Sequence, residues 1–76
     1  VAVLGYLFFR EAPEVLPLDV RQMLFDAEMS DQWAPKVAAA IALKKGGYPQ
    51  TARRFLDMAN RDRAKLGMPP YIIEGI

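Results

Sequence analysis

The strongest constraint on the fold is a helical stripe in the second half of the chain. Five apolar residues follow the spacing of one helix face, at i, i+3, i+4, i+7 and a further seven along: Ala52, Phe55, Leu56, Ala59 and Leu66. Beyond them, Gly67 suits a left-handed helix end, and Pro69 and Pro70 prevent the helix from continuing. The pattern predicts an amphipathic helix over residues 49–66.

A second predicted helix, over residues 35–45, comes directly before this one. The run from Val37 to Leu43 contains only apolar residues, and a short helix that is apolar on all sides is usually buried. Pro35 suits the first helical position, because its missing N–H would be unpaired there. Gly46 or Gly47 supplies the turn. Together the two elements predict a helical hairpin with the alanine-rich helix at its centre.

A third predicted helix covers residues 19–29. Asp19 is predicted to cap it, with Gln22 three residues later as the capping-box partner. Leu18 and Met23 stand where a hydrophobic staple would close over this cap. The predicted packed side consists of Val20, Met23, Leu24 and Ala27, widened by Phe25 and Met29.

These elements predict an all-α fold, a small three-helix domain with extended or docked segments at both ends. The predicted order along the chain is an apolar N-terminal segment (1–10), a proline-rich linker (11–18), the helical domain (19–67) and an extended C-terminal tail (68–76). Trp33, just before the alanine-rich helix, is predicted to fill the core.

Both ends of the chain are apolar. The first nine residues are fewer than half of the roughly 20 that a membrane-spanning helix needs. Three interpretations stay open for them: a helix or strand that packs on the hairpin or on a partner chain, the end of a membrane helix anchored by aromatic residues and Arg10, or a signal-peptide remnant. The expected contact residues for a partner in the two ends are Leu4, Tyr6, Phe8, Phe9, Tyr71, Ile72 and Ile73.

The composition argues against catalysis and against a metal or cofactor site. The chain contains no cysteine and no histidine, so the commonest general base, the commonest metal ligand and the thiol nucleophile are all missing. Acidic residues do occur in pairs, but they stand in the proline-rich linker and around a helix end, where we expect no closed pocket. We therefore expect no catalytic residue, no cofactor and no metal ligand.

Charge is unevenly distributed, although the formal net charge is only +1. Residues 11–31 carry six acidic residues and one basic residue, whereas residues 36–65 carry eight basic and two acidic residues. Such an asymmetry concerns partners rather than the fold. Arg53, Arg54 and Arg61 are predicted to form a basic outer face on the last helix, where Arg53, Asp57 and Arg61 follow each other at i+4 intervals.

Two functions compete for this sequence. Since apolar surface at the ends exceeds what three short helices can cover, we expect a non-catalytic accessory subunit or protein–protein interaction module of a larger protein complex or homo-oligomer. Such a subunit would be membrane-associated or cytoplasmic, and its basic face would bind acidic protein or anionic lipid, or keep the helix soluble. The alternative is a small helix-turn-helix-like nucleic-acid-binding protein that uses the basic helix 49–66.

Overall fold

The computed structural model describes residues 14–76, which form three helices and a tail. Helix α1 spans Leu18–Met29, α2 spans Trp33–Gly46 and α3 spans Pro49–Lys65. No strand occurs in residues 14–76. The predicted all-α fold with a small three-helix domain is confirmed, and its helix bounds differ from the predicted ones by at most two residues.

Helices α2 and α3 form a hairpin that holds most of the core. Small alanine side chains let the two backbones approach closely, and Phe55 and Leu43 are the largest side chains that are fully buried between them. The core cluster consists of Leu24, Ala27, Ala39, Ala40, Leu43, Ala52, Phe55 and Leu56. Gly47 ends α2 with a φ of 90°, as predicted, and the N–H of Tyr48 donates to the Leu43 carbonyl at 2.9 Å.

Helix α1 begins one residue earlier than predicted and without the predicted cap. The Pro17 carbonyl accepts a hydrogen bond from the Arg21 N–H at 3.0 Å, so the first turn closes before Asp19, and no side chain caps this helix start. Asp19 therefore lies inside the first turn, where a negative charge still favours the helix. The predicted staple is also wrong, because Leu18 and Met23 are both exposed.

Three further local predictions need correction. Helix α2 begins at Trp33, so Pro35 is its third residue, where a helix N–H is also unpaired. Trp33 itself is only partly buried at this helix start and does not fill the core. Leu66 is 67% exposed, because α3 ends at Lys65 and the next residue leaves the apolar face.

The C-terminal tail lies against the hairpin. Gly67, with a φ of 73°, turns the chain after α3, as predicted. Ile73 and Ile76 are partly buried against the core, and the Lys44 ammonium group donates a hydrogen bond to the Glu74 carbonyl. The tail therefore covers part of the hairpin that would otherwise be exposed.

The predictions for the N-terminal segment lie outside the described residues. These concern the candidate contacts Leu4, Tyr6, Phe8 and Phe9, and the choice between helix, strand and membrane segment for residues 1–9. Among the three helices of residues 14–76, none combines the length and the apolar character required to cross a membrane.

Candidate protein interface

Helix α1 carries a row of large apolar side chains that faces away from the core. Leu18, Phe25 and Met29 are 79%, 61% and 67% exposed. They are separated by seven and then four residues, so they lie within about 40° of one another around a helix of 3.6 residues per turn. Leu24 and Ala27 occupy the buried side of the same helix. We call Leu18, Phe25 and Met29 the outer stripe.

The outer stripe corrects the predicted width of the packed side of α1. The predicted positions of Leu24 and Ala27 in the core are confirmed, and Val20 packs against it. Phe25 and Met29, which the sequence pattern adds to this packed side, are exposed. Ala27 lines a groove together with Ala38 and Ala39 of α2, so α1 approaches α2 through small side chains. The spacing of the outer stripe is itself helical, and this second period is the signal that could have identified it.

The basic residues predicted for the outer side of α3 are exposed there. This basic face is lined by Gln50, Arg53, Arg54, Asp57, Met58 and Arg61, around a shallow depression of about 430 Å³. Arg54 Nη2 lies 3.9 Å from Glu28 Oε1 of α1, an exposed pair that contributes little to stability. Within the described residues, Asp57 forms no ion pair with Arg53 or Arg61. Within residues 14–76, Arg53 and Arg61 form no ion pair, whereas Arg54 lies beside Glu28.

Arg63 belongs to the interior rather than to the basic face. It is 8% exposed, and its guanidinium carbon lies 4.3 Å from the centre of the Trp33 ring and 5.5 Å from that of Tyr71. Its Nε donates to the Pro69 carbonyl at 2.9 Å. Cation–π contacts and this charge-assisted hydrogen bond tie the tail to α2 and α3.

The three tail residues predicted to contact a partner have different surroundings. Tyr71 is fixed by Asn60, whose side-chain oxygen accepts from the Tyr71 N–H at 2.7 Å and whose side-chain amide donates to the Tyr71 carbonyl at 3.1 Å. Ile73 is partly buried against the core. Ile72 is 85% exposed, so it is the tail residue with the most side-chain surface left for a partner.

An ion pair between Lys36 and Asp62 shows the relative direction of α2 and α3. Lys36 lies in the first turn of α2 and Asp62 lies near the end of α3. Together with the turn at Gly47, this pair makes the two helices antiparallel neighbours along their length. A helix-turn-helix motif instead crosses its two helices at about 90–120°. The observed hairpin does not favour that motif.

Glu14, from the predicted linker, caps the start of α3. Its carboxylate accepts hydrogen bonds from the Gln50 N–H at 3.0 Å, the Thr51 N–H at 2.9 Å and the Thr51 hydroxyl at 2.8 Å. Desolvation raises the pKa of Glu14, but the hydrogen bonds from Thr51 and Gln50 outweigh it and lower this pKa below its ordinary value. No local pattern could reveal this cap, because the partners are more than 35 residues apart.

A groove of about 820 Å³ lies where the α1–α2 turn meets the end of α3. Met29 of the outer stripe also lines this groove, together with Trp33, Leu66 and the Lys36–Asp62 pair. Within residues 14–76, no three acidic residues come close enough together to hold a metal ion. Met29, Trp33 and Leu66 extend the apolar surface of α1 into this groove, whose other lining residues are mostly polar or charged.

No family model, no curated protein and no solved structure matches this chain. A functional assignment therefore rests on the surfaces themselves. The outer stripe offers large apolar side chains, and the basic face offers exposed arginines. Both surfaces lie outside the core cluster.

Proposed function

We propose that this chain is a non-catalytic helical accessory subunit, a protein–protein interaction module that a partner chain completes. The observation that carries the proposal is the outer stripe, in which Leu18, Phe25 and Met29 remain exposed although α1 has another apolar side in the core. Contiguous exposed apolar patches on soluble proteins commonly mark interaction sites. The outer stripe and the groove beyond Met29 are the proposed contact surface.

The small size of the domain supports the same proposal. The chain has 76 residues and no cysteine, and its buried core includes four alanines of the α2–α3 hairpin, Ala39, Ala40, Ala52 and Ala59. Alanine buries less apolar area than a larger side chain, and burial stabilises roughly in proportion to area. A partner that binds only the folded state would add stability by mass action.

The basic face supports a second candidate, binding of a polyanion such as nucleic acid. Arg53, Arg54 and Arg61 are exposed on one side of α3. Because α2 and α3 form an antiparallel hairpin, contact through this face would involve phosphate groups rather than base edges read by a crossing recognition helix. This candidate requires salt-sensitive binding.

The primary proposal is tested by comparing two molar masses. The full chain is purified alone in detergent-free buffer, and a tagged copy is purified from its native source under mild conditions. We expect the native species to exceed the 8.5 kDa of one chain, and we expect a Phe25→Ser and Met29→Ser double variant to lose the added mass. Ala42→Ser with Lys45→Ser is the matched control, because both residues are exposed on α2 and lie on neither candidate surface. A folded monomer from both preparations contradicts the proposal.

A further inference from the structure

The two flanks of the outer stripe carry different charges. Arg21 and Glu28 lie on the flank toward α3, where they line a narrow groove together with Arg54. Asp26 lies on the flank toward α2, in the groove that contains Pro35. Arg21, Asp26 and Glu28 are all exposed. The flank toward α3 therefore presents one base and one acid, about two turns apart along the same helix.

We infer that a second copy of this chain covers the outer stripe, with the two α1 helices side by side and antiparallel. This inference rests on the proposed function, because it names the partner of the same surface. In an antiparallel pair related by a two-fold axis, like flanks face each other and every contact occurs twice. The contact surface must therefore be complementary to itself.

The sequence of α1 meets this condition. Arg21 and Glu28 lie four residues before and three residues after Phe25, so the middle of this charged pair falls beside Phe25. When Phe25 packs near the axis against the partner's Phe25, Arg21 comes opposite the partner's Glu28, and the reciprocal pair forms at the same time. Met29 then lies near the partner's Leu18. Apolar contacts occupy the centre, and unlike charges face each other along one edge.

The charges around the outer stripe also favour a second copy over other occupants. Asp26 and Glu28 would repel an anionic membrane surface. The basic face of α3 would not fill the stripe, because its only large apolar member is Met58, which is partly buried. A second α1 supplies the apolar side chains and, on the flank toward α3, charges of opposite sign. On the flank toward α2, Asp26 comes opposite the partner's Asp26, and this repulsion weakens the dimer.

The area of the outer stripe sets the expected affinity of the dimer. At the observed exposures of Leu18, Phe25 and Met29, the stripe presents roughly 400 Å² per chain, on a scale of about 150–250 Å² for a large apolar side chain. Two copies would bury on the order of 800 Å², which corresponds to a weak interface. We therefore expect a dimer that dissociates on dilution.

Sedimentation equilibrium of the full chain, from micromolar to millimolar concentration, tests the inference. The wild-type mass should rise from 8.5 kDa toward twice that value. Arg21→Glu alone and Glu28→Arg alone should each raise the dimer Kd about tenfold at low salt, because two symmetry-related pairs change from attraction to repulsion. An equimolar mixture of the two variants should associate as the wild type does, since every pair in the mixed dimer again joins unlike charges. Lys45→Glu, an equal charge change at an exposed position of α2 outside both candidate surfaces, should leave the Kd unchanged.

The equimolar mixture of the Arg21→Glu and Glu28→Arg variants distinguishes the antiparallel α1 pair from a folding defect and from other modes of association. A wild-type chain that stays monomeric overturns the inference, and so does a dimer that is insensitive to both charge reversals or is not restored by mixing. If the isolated chain is a monomer while the species from the native source is larger, a different chain covers the stripe; the second copy is then excluded and the proposed function stands. Monomers in both preparations exclude both.

Discussion

Leu24 and Phe25 are adjacent in the sequence, yet α1 turns them toward different surroundings. Leu24 is 6% exposed in the core, whereas Phe25 is 61% exposed on the outer stripe. Alanine substitutions at these two positions therefore test which side of α1 faces the core. The outer stripe exists only if α1 has this orientation about its axis.

The expected losses in the free energy of unfolding differ severalfold between Leu24→Ala and Phe25→Ala. Replacing a buried leucine by alanine costs about 2–5 kcal/mol, a large share of the roughly 4–11 kcal/mol expected for a chain of 76 residues. Phe25 is about 40% buried, or roughly 80 Å², which sets an upper limit of about 2 kcal/mol. Alanine is also the better helix former, by about 0.5 kcal/mol. Phe25→Ala should therefore cost about 1 kcal/mol.

The measurement is urea unfolding followed by circular dichroism, with both variants and the wild type at the same low concentration. Dilution matters, because association through the outer stripe would stabilise the folded wild type and exaggerate the loss at Phe25. Equal losses for the two variants, or a larger loss for Phe25→Ala, would refute the orientation of α1. The outer stripe would then be part of the core, and the proposed interface would lose its main support.

Three other predictions concern the cap, the tail and the basic face. Because hydrogen bonds lower the pKa of Glu14 in the folded state, its contribution is present above the ordinary value of 4.5 and is lost as the pH falls through the lowered pKa; Glu14→Gln should lower Tm at neutral pH, with the difference from wild type closing in acid. Arg63→Lys keeps the charge but loses the planar stacking and the Nε hydrogen bond, so it should cost about 1–2 kcal/mol and change the fluorescence of Trp33, the only tryptophan; unchanged stability and fluorescence would contradict the assigned contact. If the basic face binds duplex nucleic acid, fluorescence anisotropy should show an affinity that falls steeply with salt and is abolished by Arg53→Glu with Arg54→Glu; absent or salt-insensitive binding removes this candidate.

The features that the sequence predicts well are those set by residues close together in the chain. Gly47 and Gly67 end helices because each takes up a positive φ at the position where the pattern stops. The stripe from Ala52 to Ala59 is buried as its spacing indicates. In these cases the local chemistry and the final packing require the same conformation.

The features that the sequence does not reveal depend on contacts between distant residues. The sequence places Leu24 on the packed side of α1, but it adds Phe25 and Met29 to that side, and only the shape of α2 and α3 decides that these two stay outside the core. Lys36 and Arg63 are part of the predicted basic excess, but both are 8% exposed. Lys36 is paired with Asp62 of α3, and Arg63 is covered by Trp33 of α2 and by the tail. Composition therefore overstates the charge that reaches the surface.

The two candidate surfaces would bind a partner through different forces, so the salt dependence of binding shows which surface a partner uses. They lie on adjacent helices and meet at Glu28 and Arg54, 3.9 Å apart. Association through the outer stripe is driven by burial of apolar area, which added salt weakens little or strengthens. Association through the basic face depends on exposed charges, which salt screens within about 10 Å at 0.1 M. A partner that remains bound at high salt therefore engages α1, and one that is released engages α3.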